Sequence, residues 1–196
     1  VSIPQRKQDD VIFSHDEFIK SDTTLAQLAK LRPAFRKEGG SVTAGNSSGL
    51  NDGSAALLLA NESGLLASNL KPLAQIVSSA VVGVEPRIMG IGPVRASEIA
   101  LQRAGITFDD LDVIELNEAF SAQALACIRA WNLEDDDSRI NPNGGGISIG
   151  HPLGVTGSRI LLAAARQLER SGGKYGLVTL CVGVGQGYAV VIKNTP

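Results

Sequence analysis

The fold is decided by residues 175–193, which read YGLVTLCVGVGQGYAVVIK. Two apolar runs in this stretch, Tyr175–Val182 and Tyr188–Lys193, predict buried strands. Between them lies the glycine-rich segment Gly183–Gly187. A glycine loop that binds the phosphates of a nucleotide follows a strand and opens a helix. Because the residues after Gly187 are strand-like, we favour a turn between two strands over a phosphate cradle.

Strands and helices alternate upstream of this hairpin. We predict a strand at Leu73–Val84, a helix at Val94–Ala104, a strand at Leu111–Leu116, a helix whose apolar face runs from Phe120 to Trp131, and a helix at Val155–Arg170. Such an alternation, closed by two consecutive strands, predicts an α/β layered domain with a mixed sheet flanked by helices.

The first 69 residues carry weaker signals. Residues Thr23–Leu31 predict a short helix, and nothing before Gly40 closes on itself as a domain. The apolar run Ala55–Ala60 predicts a buried segment, which periodicity alone does not assign to a strand or a helix.

The composition excludes several classes of protein. Apolar residues make up 43% of the 196 residues, charged residues 19%, and the formal net charge is −2, so the chain has no bulk attraction to nucleic acid or anionic membrane. The apolar runs are too short to span a bilayer. Two cysteines and two histidines show no metal-ligand spacing, so we expect no metal. Nothing suggests a secreted disulfide scaffold, and reduced thiols in the cytoplasm are the expectation.

Three polar residues are candidates for chemistry, each with an ordinary alternative. His151 precedes a predicted helix N-terminus, which favours a neutral imidazole, but it could also cap backbone amides. Cys181 is either a buried small side chain or a thiol presented at a strand end. Asn117 is either an N-cap or a site residue. Cys127 falls on the apolar stripe of its helix, and we assign it to the core.

Four sequence blocks, in this order, resemble the signature blocks of thiolases. They are Thr43–Gly53 (TAGNSSGLNDG), Asn117–Phe120 (NEAF), Gly150–Gly154 (GHPLG) and Cys181–Gly187 (CVGVGQG). The match runs from about Asp22 to the C-terminus. The resemblance implies a thiolase-like fold and acyl transfer between coenzyme A thioesters, by cleavage of a 3-oxoacyl-CoA or the reverse Claisen condensation. It implies CoA thioesters as substrates, with no separate cofactor.

The resemblance also implies a role for individual residues. Cys181 matches the general acid/base thiol, His151 the residue that assists the nucleophile and donates to a thioester oxygen, and Asn117 the residue that holds a water on the same oxygen. The amide of Gly183 matches part of a second oxyanion hole, and Ser48 matches a contact to the pantetheine arm of CoA. An enolate and a tetrahedral oxyanion both require such oriented donors.

The chain departs from the thiolase pattern in two ways. The acylated cysteine of thiolases belongs to a motif upstream of these blocks, so we expect only the C-terminal half of the enzyme here and no turnover by this chain alone. In that interpretation residues 1–40 end a loop region, 41–69 are a remnant of the N-terminal domain and 70–196 are the complete C-terminal domain. Val184 stands where a third glycine is common in the family, and we expect only added bulk beside the turn.

Two other functions stay open at this point. A 3-oxoacyl-ACP synthase-like enzyme would use two histidines with its cysteine, and only His151 is available here. A non-enzymatic CoA-binding module would show the same binding residues without turnover. Thiolases are homodimers or homotetramers, which is the expectation for the whole enzyme. The blocks Met89–Pro93 and His151–Gly157 resemble bacterial degradative thiolases, including those that act on 3-oxoadipyl-CoA.

Overall fold

A computed structural model of the chain describes residues 1–16 and 18–195. They divide into two compact units, Val1–Leu31 and the chain from Arg32 onward. No helix in the described ranges is long and apolar enough to cross a membrane. The domain limits 1–40, 41–69 and 70–196 stay predictions.

The first unit contains a small hairpin and one helical turn. Strand β1 (Ser2–Ile3) pairs antiparallel with β2 (Val11–Ile12). Helix α1 (Leu25–Leu28) begins at Thr24, whose hydroxyl accepts from the Gln27 N–H at 3.2 Å. The helix is shorter than the predicted one and has no buried residue, because its leucines find little to pack against.

The second unit carries the remaining elements. They are α2 (Glu62–Ser68), β3 (Ala74–Gly83), α3 (Gly92–Ala104), β4 (Val113–Leu116), α4 (Ser121–Ala130), α5 (Gly146–Ile149), α6 (Thr156–Ser171), β5 (Tyr175–Val182) and β6 (Gln186–Asn194). The strands form one sheet in the order β3-β6-β5-β4. Strand β6 is antiparallel to β3 and β5, whereas β4 and β5 are parallel. The predicted mixed sheet is confirmed.

Helices cover both faces of this sheet, since successive side chains of a strand point to opposite sides. One face packs on α6 through Val113, Val178, Val190, Ile192, Ile160, Ala164, Ala165 and Leu168. The other face packs on α3 through Ala80, Ile114, Leu177, Ala189, Val191, Ala96, Ala100 and Leu101. The predicted arrangement of a mixed sheet flanked by helices is therefore confirmed.

The expectation of a buried segment at Ala55–Ala60 is wrong. These residues form neither strand nor helix, and Leu58 and Leu59 are 81% and 70% exposed. A strand requires a neighbour for its backbone N–H and C=O groups. None of the strands in the described ranges runs beside residues 55–60.

The segment after β5 is a turn into β6, as predicted. Gly185 has φ +89°, and its carbonyl accepts from the Val84 N–H at 2.8 Å. A Cβ atom on Gly185 would collide with the backbone of Val84 and Pro86. Glycine is therefore required by close backbone approach at this position and not by a phosphate.

Val184 lies in the same turn with φ +62°. The left-handed conformation is strained for a β-branched residue, and the side chain is 83% exposed, so little packing offsets the strain. We expect Val184→Gly to raise the free energy of unfolding by about 1 kcal/mol, the relief of strain less the greater flexibility of glycine in the unfolded chain. Urea unfolding followed by the fluorescence of the single tryptophan, Trp131, measures this.

Val182→Gly is the matched control, because Val182 lies two residues away within β5. Glycine in a strand interior loses side-chain packing and gains backbone entropy on unfolding, so this variant is expected to be less stable than the parent. A Val184→Gly variant no more stable than the parent would show that the left-handed conformation carries no strain.

Candidate active site

Asn117 lies where β4 ends and is almost fully buried, with 1% of its surface exposed. Its backbone N–H donates to the carbonyl of Thr179 at 3.0 Å, which extends the β4–β5 ladder by one bond. Its Nδ2 lies 3.5 Å from Nε2 of His151, and its Oδ1 has no hydrogen-bond partner. Helix α4 takes Phe120 as its N-cap, so the alternative interpretation of Asn117 as an N-cap is wrong.

His151 is held at both its backbone and its ring. Its N–H donates to the carbonyl of Gly49 at 2.8 Å and lies 3.3 Å from Oδ1 of Asn51. Its Nδ1 lies 2.7 Å from the hydroxyl of Thr156 in the first turn of α6. Burial, and then the positive charge of Arg159, lower the pKa of His151. The imidazole is therefore neutral near pH 7, in the form that accepts or donates one proton.

The carboxylate of Glu118 fixes the glycine-rich turn that leads to His151. It accepts from Nδ2 of Asn141 at 2.7 Å and from the N–H of Ile147 at 3.2 Å. Gly145 lies so close to this carboxylate that a Cβ atom would collide with it. The consecutive glycines thus allow the close backbone approach that the sequence indicated.

Ser48 lies near the start of the second unit in sequence but contacts the residues that follow Asn117. Its N–H and its hydroxyl both donate to the carbonyl of Ala119, at 3.1 and 3.2 Å. The next residue, Gly49, accepts from His151. The structure therefore brings together Ser48, Asn117 and His151, which lie far apart in the sequence.

Cys181 lies at the end of β5, at the sheet edge where the parallel strand β4 also ends. Side-chain alternation along the strand places it on the face of Leu177, towards α3. None of the hydrogen bonds found among residues 1–16 and 18–195 joins its thiol to Asn117 or His151. Burial raises the pKa of the Cys181 thiol, partly offset by its own backbone N–H. The thiol is therefore protonated at neutral pH.

Gly183 follows β5 and is exposed. A Cβ atom there would meet no atom within 4 Å, so open space adjoins its backbone. That space is compatible with a bound acyl group, but the role of its amide stays a prediction. So do the roles of Cys181, His151, Asn117 and Ser48.

Cys127 is a core residue, as its place on the apolar stripe of α4 predicts. It is fully buried, with its sulfur 3.4 Å from the carbonyl of Gly90 and 3.6 Å from Nε2 of Gln123. Burial raises the pKa of its thiol to about 11.

Sequence reasoning missed three residues that hold the site together, namely Thr156, Asn51 and Glu118. Glu118 and Asn51 lie inside blocks quoted for the resemblance, one and three residues from Asn117 and Ser48. Thr156 follows His151 by five residues, at the predicted start of a helix. A hydroxyl in the first helical turn after a histidine is the signal that could have identified it.

The fold and the site together define a class of protein. It is a three-layer α/β protein with an imidazole and a carboxamide in contact at one sheet edge, where a buried thiol also lies. Such groups can donate hydrogen bonds to negatively charged oxygens and exchange protons.

Comparison with known families identifies the chain within this class. Residues 70–194 match the model of the thiolase C-terminal domain, and residues 1–63 match that of the thiolase N-terminal domain. The chain belongs to the thiolase family.

Individual relatives agree with the family models. The chain is 54% identical over 194 residues to a β-ketoadipyl-CoA thiolase of Acinetobacter baylyi, which covers 99% of this chain and 48% of that protein. It is 53% identical over 180 residues to a 3-oxoadipyl-CoA/3-oxo-5,6-dehydrosuberyl-CoA thiolase of Escherichia coli, covering 92% of this chain and 45% of that protein. The chain thus spans about half the length of these relatives.

Solved structures show the same fold. The human mitochondrial 3-ketoacyl-CoA thiolase in complex with CoA superimposes with a TM-score of 0.87 at 48% identity, over 94% of this chain and 46% of that one. The acetyl-CoA acetyltransferase of Bacillus anthracis superimposes with a TM-score of 0.89 at 46% identity, over 99% of this chain and 48% of that one. The thiolase-like fold expected from the sequence blocks is confirmed.

Proposed function

We propose that this chain supplies the C-terminal part of a thiolase active site, which transfers acyl groups between CoA thioesters. The reaction is cleavage of a 3-oxoacyl-CoA by CoA, or the reverse condensation. The observation that carries the proposal is the contact between Asn117 and His151 at the sheet edge where Cys181 also lies. The names of the relatives support a 3-oxoadipyl-CoA-type substrate.

Each residue has a step in this chemistry. In cleavage, the nucleophile bonds to the 3-oxo carbon as the carbon–carbon bond breaks, and the departing acetyl-CoA enolate takes a proton at its α-carbon from the thiol of Cys181. The Cys181 thiolate then takes the proton of the incoming CoA thiol as the CoA sulfur displaces the acyl group from the nucleophile. The neutral His151 takes the proton of the nucleophile and, once it carries that proton, stabilises negative charge on a thioester oxygen together with a water held by Asn117. The amide of Gly183 donates a hydrogen bond to a second oxyanion. Ser48 contacts the pantetheine arm of CoA. CoA thioesters are substrates, and no separate cofactor takes part.

The acylated nucleophile is, in this proposal, neither cysteine of the 196 residues. Cys127 is sealed in the core between Gly90 and Gln123, and Cys181 has the proton-transfer role. The chain alone is therefore inactive. The whole enzyme is a cytoplasmic homodimer or homotetramer, by the family resemblance.

A thiolysis assay tests the proposal. Acetoacetyl-CoA and 3-oxoadipyl-CoA are offered with CoA to the chain alone, to the chain joined to the N-terminal half of the Acinetobacter baylyi relative, and to that half alone. We expect turnover from the joined protein only. Turnover by the chain alone would contradict the absence of the nucleophile. A folded joined protein that binds CoA without turnover would favour the CoA-binding module instead.

A further inference from the structure

We propose that Thr156 is a positioning residue, which holds His151 in the tautomer with its proton on Nδ1 and leaves Nε2 as the free base. Thr156 is fully buried in the first turn of α6. No block of sequence quoted for the resemblance assigned it a function. The consequence for catalysis rests on the proposed function, whereas the tautomer itself does not.

The number of protons available on Thr156 decides the tautomer. A threonine hydroxyl has one proton to donate and lone pairs to accept with. The Thr156 hydroxyl donates to the carbonyl of Pro152 at 3.0 Å, a bond typical of threonine in a helix. While the hydroxyl makes this bond it has no proton for the ring of His151, so at 2.7 Å it accepts one from Nδ1.

The other side of the ring agrees with this assignment. With the proton on Nδ1, the neutral ring has a lone pair on Nε2. Nδ2 of Asn117, which is a donor, lies 3.5 Å from that nitrogen. The opposite tautomer would direct the Nε2–H at this NH₂ group and leave the Nδ1 lone pair facing an oxygen. Thr156 and Asn117 thus favour the same proton position from two different elements.

Thr156 and the charges around His151 have separate effects. Burial and Arg159 keep the imidazole neutral, and Thr156 decides which nitrogen keeps the one remaining proton. For Nε2 of His151 to act as a base beside Asn117, the ring must be neutral and its one proton must lie on Nδ1. Arg159 lies one turn beyond Thr156 on α6, so one helix supplies both.

The tautomer is measured directly by imidazole ¹⁵N correlation spectra of the 196-residue chain. His15→Gln in the background leaves His151 as the single histidine. At a pH where the ring is neutral, we expect a protonated Nδ1 and an unprotonated Nε2. In Thr156→Val, the ratio of Nδ1–H to Nε2–H is expected to fall about fivefold or more, the equivalent of one neutral hydrogen bond.

Thr156→Val suits this test because valine has the shape of threonine. In this variant the Pro152 carbonyl still accepts from the backbone N–H groups of Val155 and of residue 156, at 2.8 and 2.9 Å, so the start of the helix retains its hydrogen bonds. Thr156→Ser is the matched control, since it restores the hydroxyl and is expected to restore the Nδ1–H form.

Two results would overturn the inference: a wild-type ring protonated on Nε2, or a Thr156→Val variant with the wild-type ratio. Should Thr156→Val fail to fold, the wild-type spectrum decides alone. The measurement uses neither CoA nor turnover, so its failure is distinct from a failure of the proposed function.

Discussion

The Cys181→Ala variant of the joined protein is expected to cleave 3-oxoacyl-CoA about 10²- to 10⁴-fold more slowly than its parent, the usual contribution of a positioned acid or base. Alanine has no proton to give to the α-carbon of the departing enolate. The change removes one sulfur atom and leaves only a small cavity, so we expect the fold to persist. Initial rates of acetoacetyl-CoA thiolysis measure the effect, and CoA affinity should change little.

The pH dependence of the same reaction follows from the raised pKa of Cys181. Cleavage needs the protonated thiol as acid, so its rate is expected to hold through neutral pH and to fall as the pH rises through the raised pKa. The fall at high pH therefore reports the ionisation of the Cys181 thiol.

Cys127→Ala is the matched control. Cys127 is also a buried free thiol with a raised pKa, but it lies on the apolar stripe of α4. We expect its replacement to lower stability and to leave the thiolysis rate within about twofold, because the thiol takes no part in the proton transfer. Equal losses in both variants would mean that Cys181 acts through packing and not through its proton.

The sheet could be predicted because its strands can be recognised from the local sequence alone. Tyr175–Val182 and the run that follows Gly187 are apolar and bounded by glycines, and the residues after the turn exclude a helix. Ala55–Ala60 is equally apolar and yet exposed and irregular. A strand depends on a neighbour that pairs with it, and the apolar run alone does not supply one.

The site could be predicted in part for a similar reason. His151 and Asn117 are identified by residue type and by position at element ends, Ser48 only by the family resemblance, and the structure gathers all three. Thr156 escaped notice because its importance depends on a single distance to Nδ1 of His151. The strain at Val184 could not be predicted, because it comes from the positive backbone angle φ of this residue and not from the bulk of its side chain.

Glu115 carries the largest stability effect that we expect outside the site. It lies on β4 with 1% of its surface exposed, and its Oε1 has no hydrogen-bond partner. Burial raises the pKa of this carboxyl from its ordinary 4.5 to about 7; the positive charge of Arg159 works against the shift, and the negative charge of Glu118 adds to it. The attraction to Arg159 thus falls short of the cost of burying the charge.

The sign of the pH effect follows from this raised pKa. Between 4.5 and about 7 the unfolded chain has released the proton of Glu115 while the folded chain still holds it. The folded state therefore binds more protons, and stability falls as the pH rises through this window. The loss is complete above about pH 7 and amounts to about 3 kcal/mol, at 1.4 kcal/mol per pKa unit.

Glu115→Gln removes the ionisation and keeps the shape of the side chain. Relative to the parent, its free energy of unfolding is expected to rise by about 2–3 kcal/mol more at pH 8 than at pH 5. Urea unfolding at both values, followed by the fluorescence of Trp131, measures the difference, and comparison between the two pH values cancels any cost of the amide itself. Glu134→Gln, at an exposed position, is the control for the same substitution made outside the core. A Glu115→Gln effect that is equal at pH 5 and pH 8 would mean that the folded protein tolerates the buried charge, with Arg159 as its full counterion.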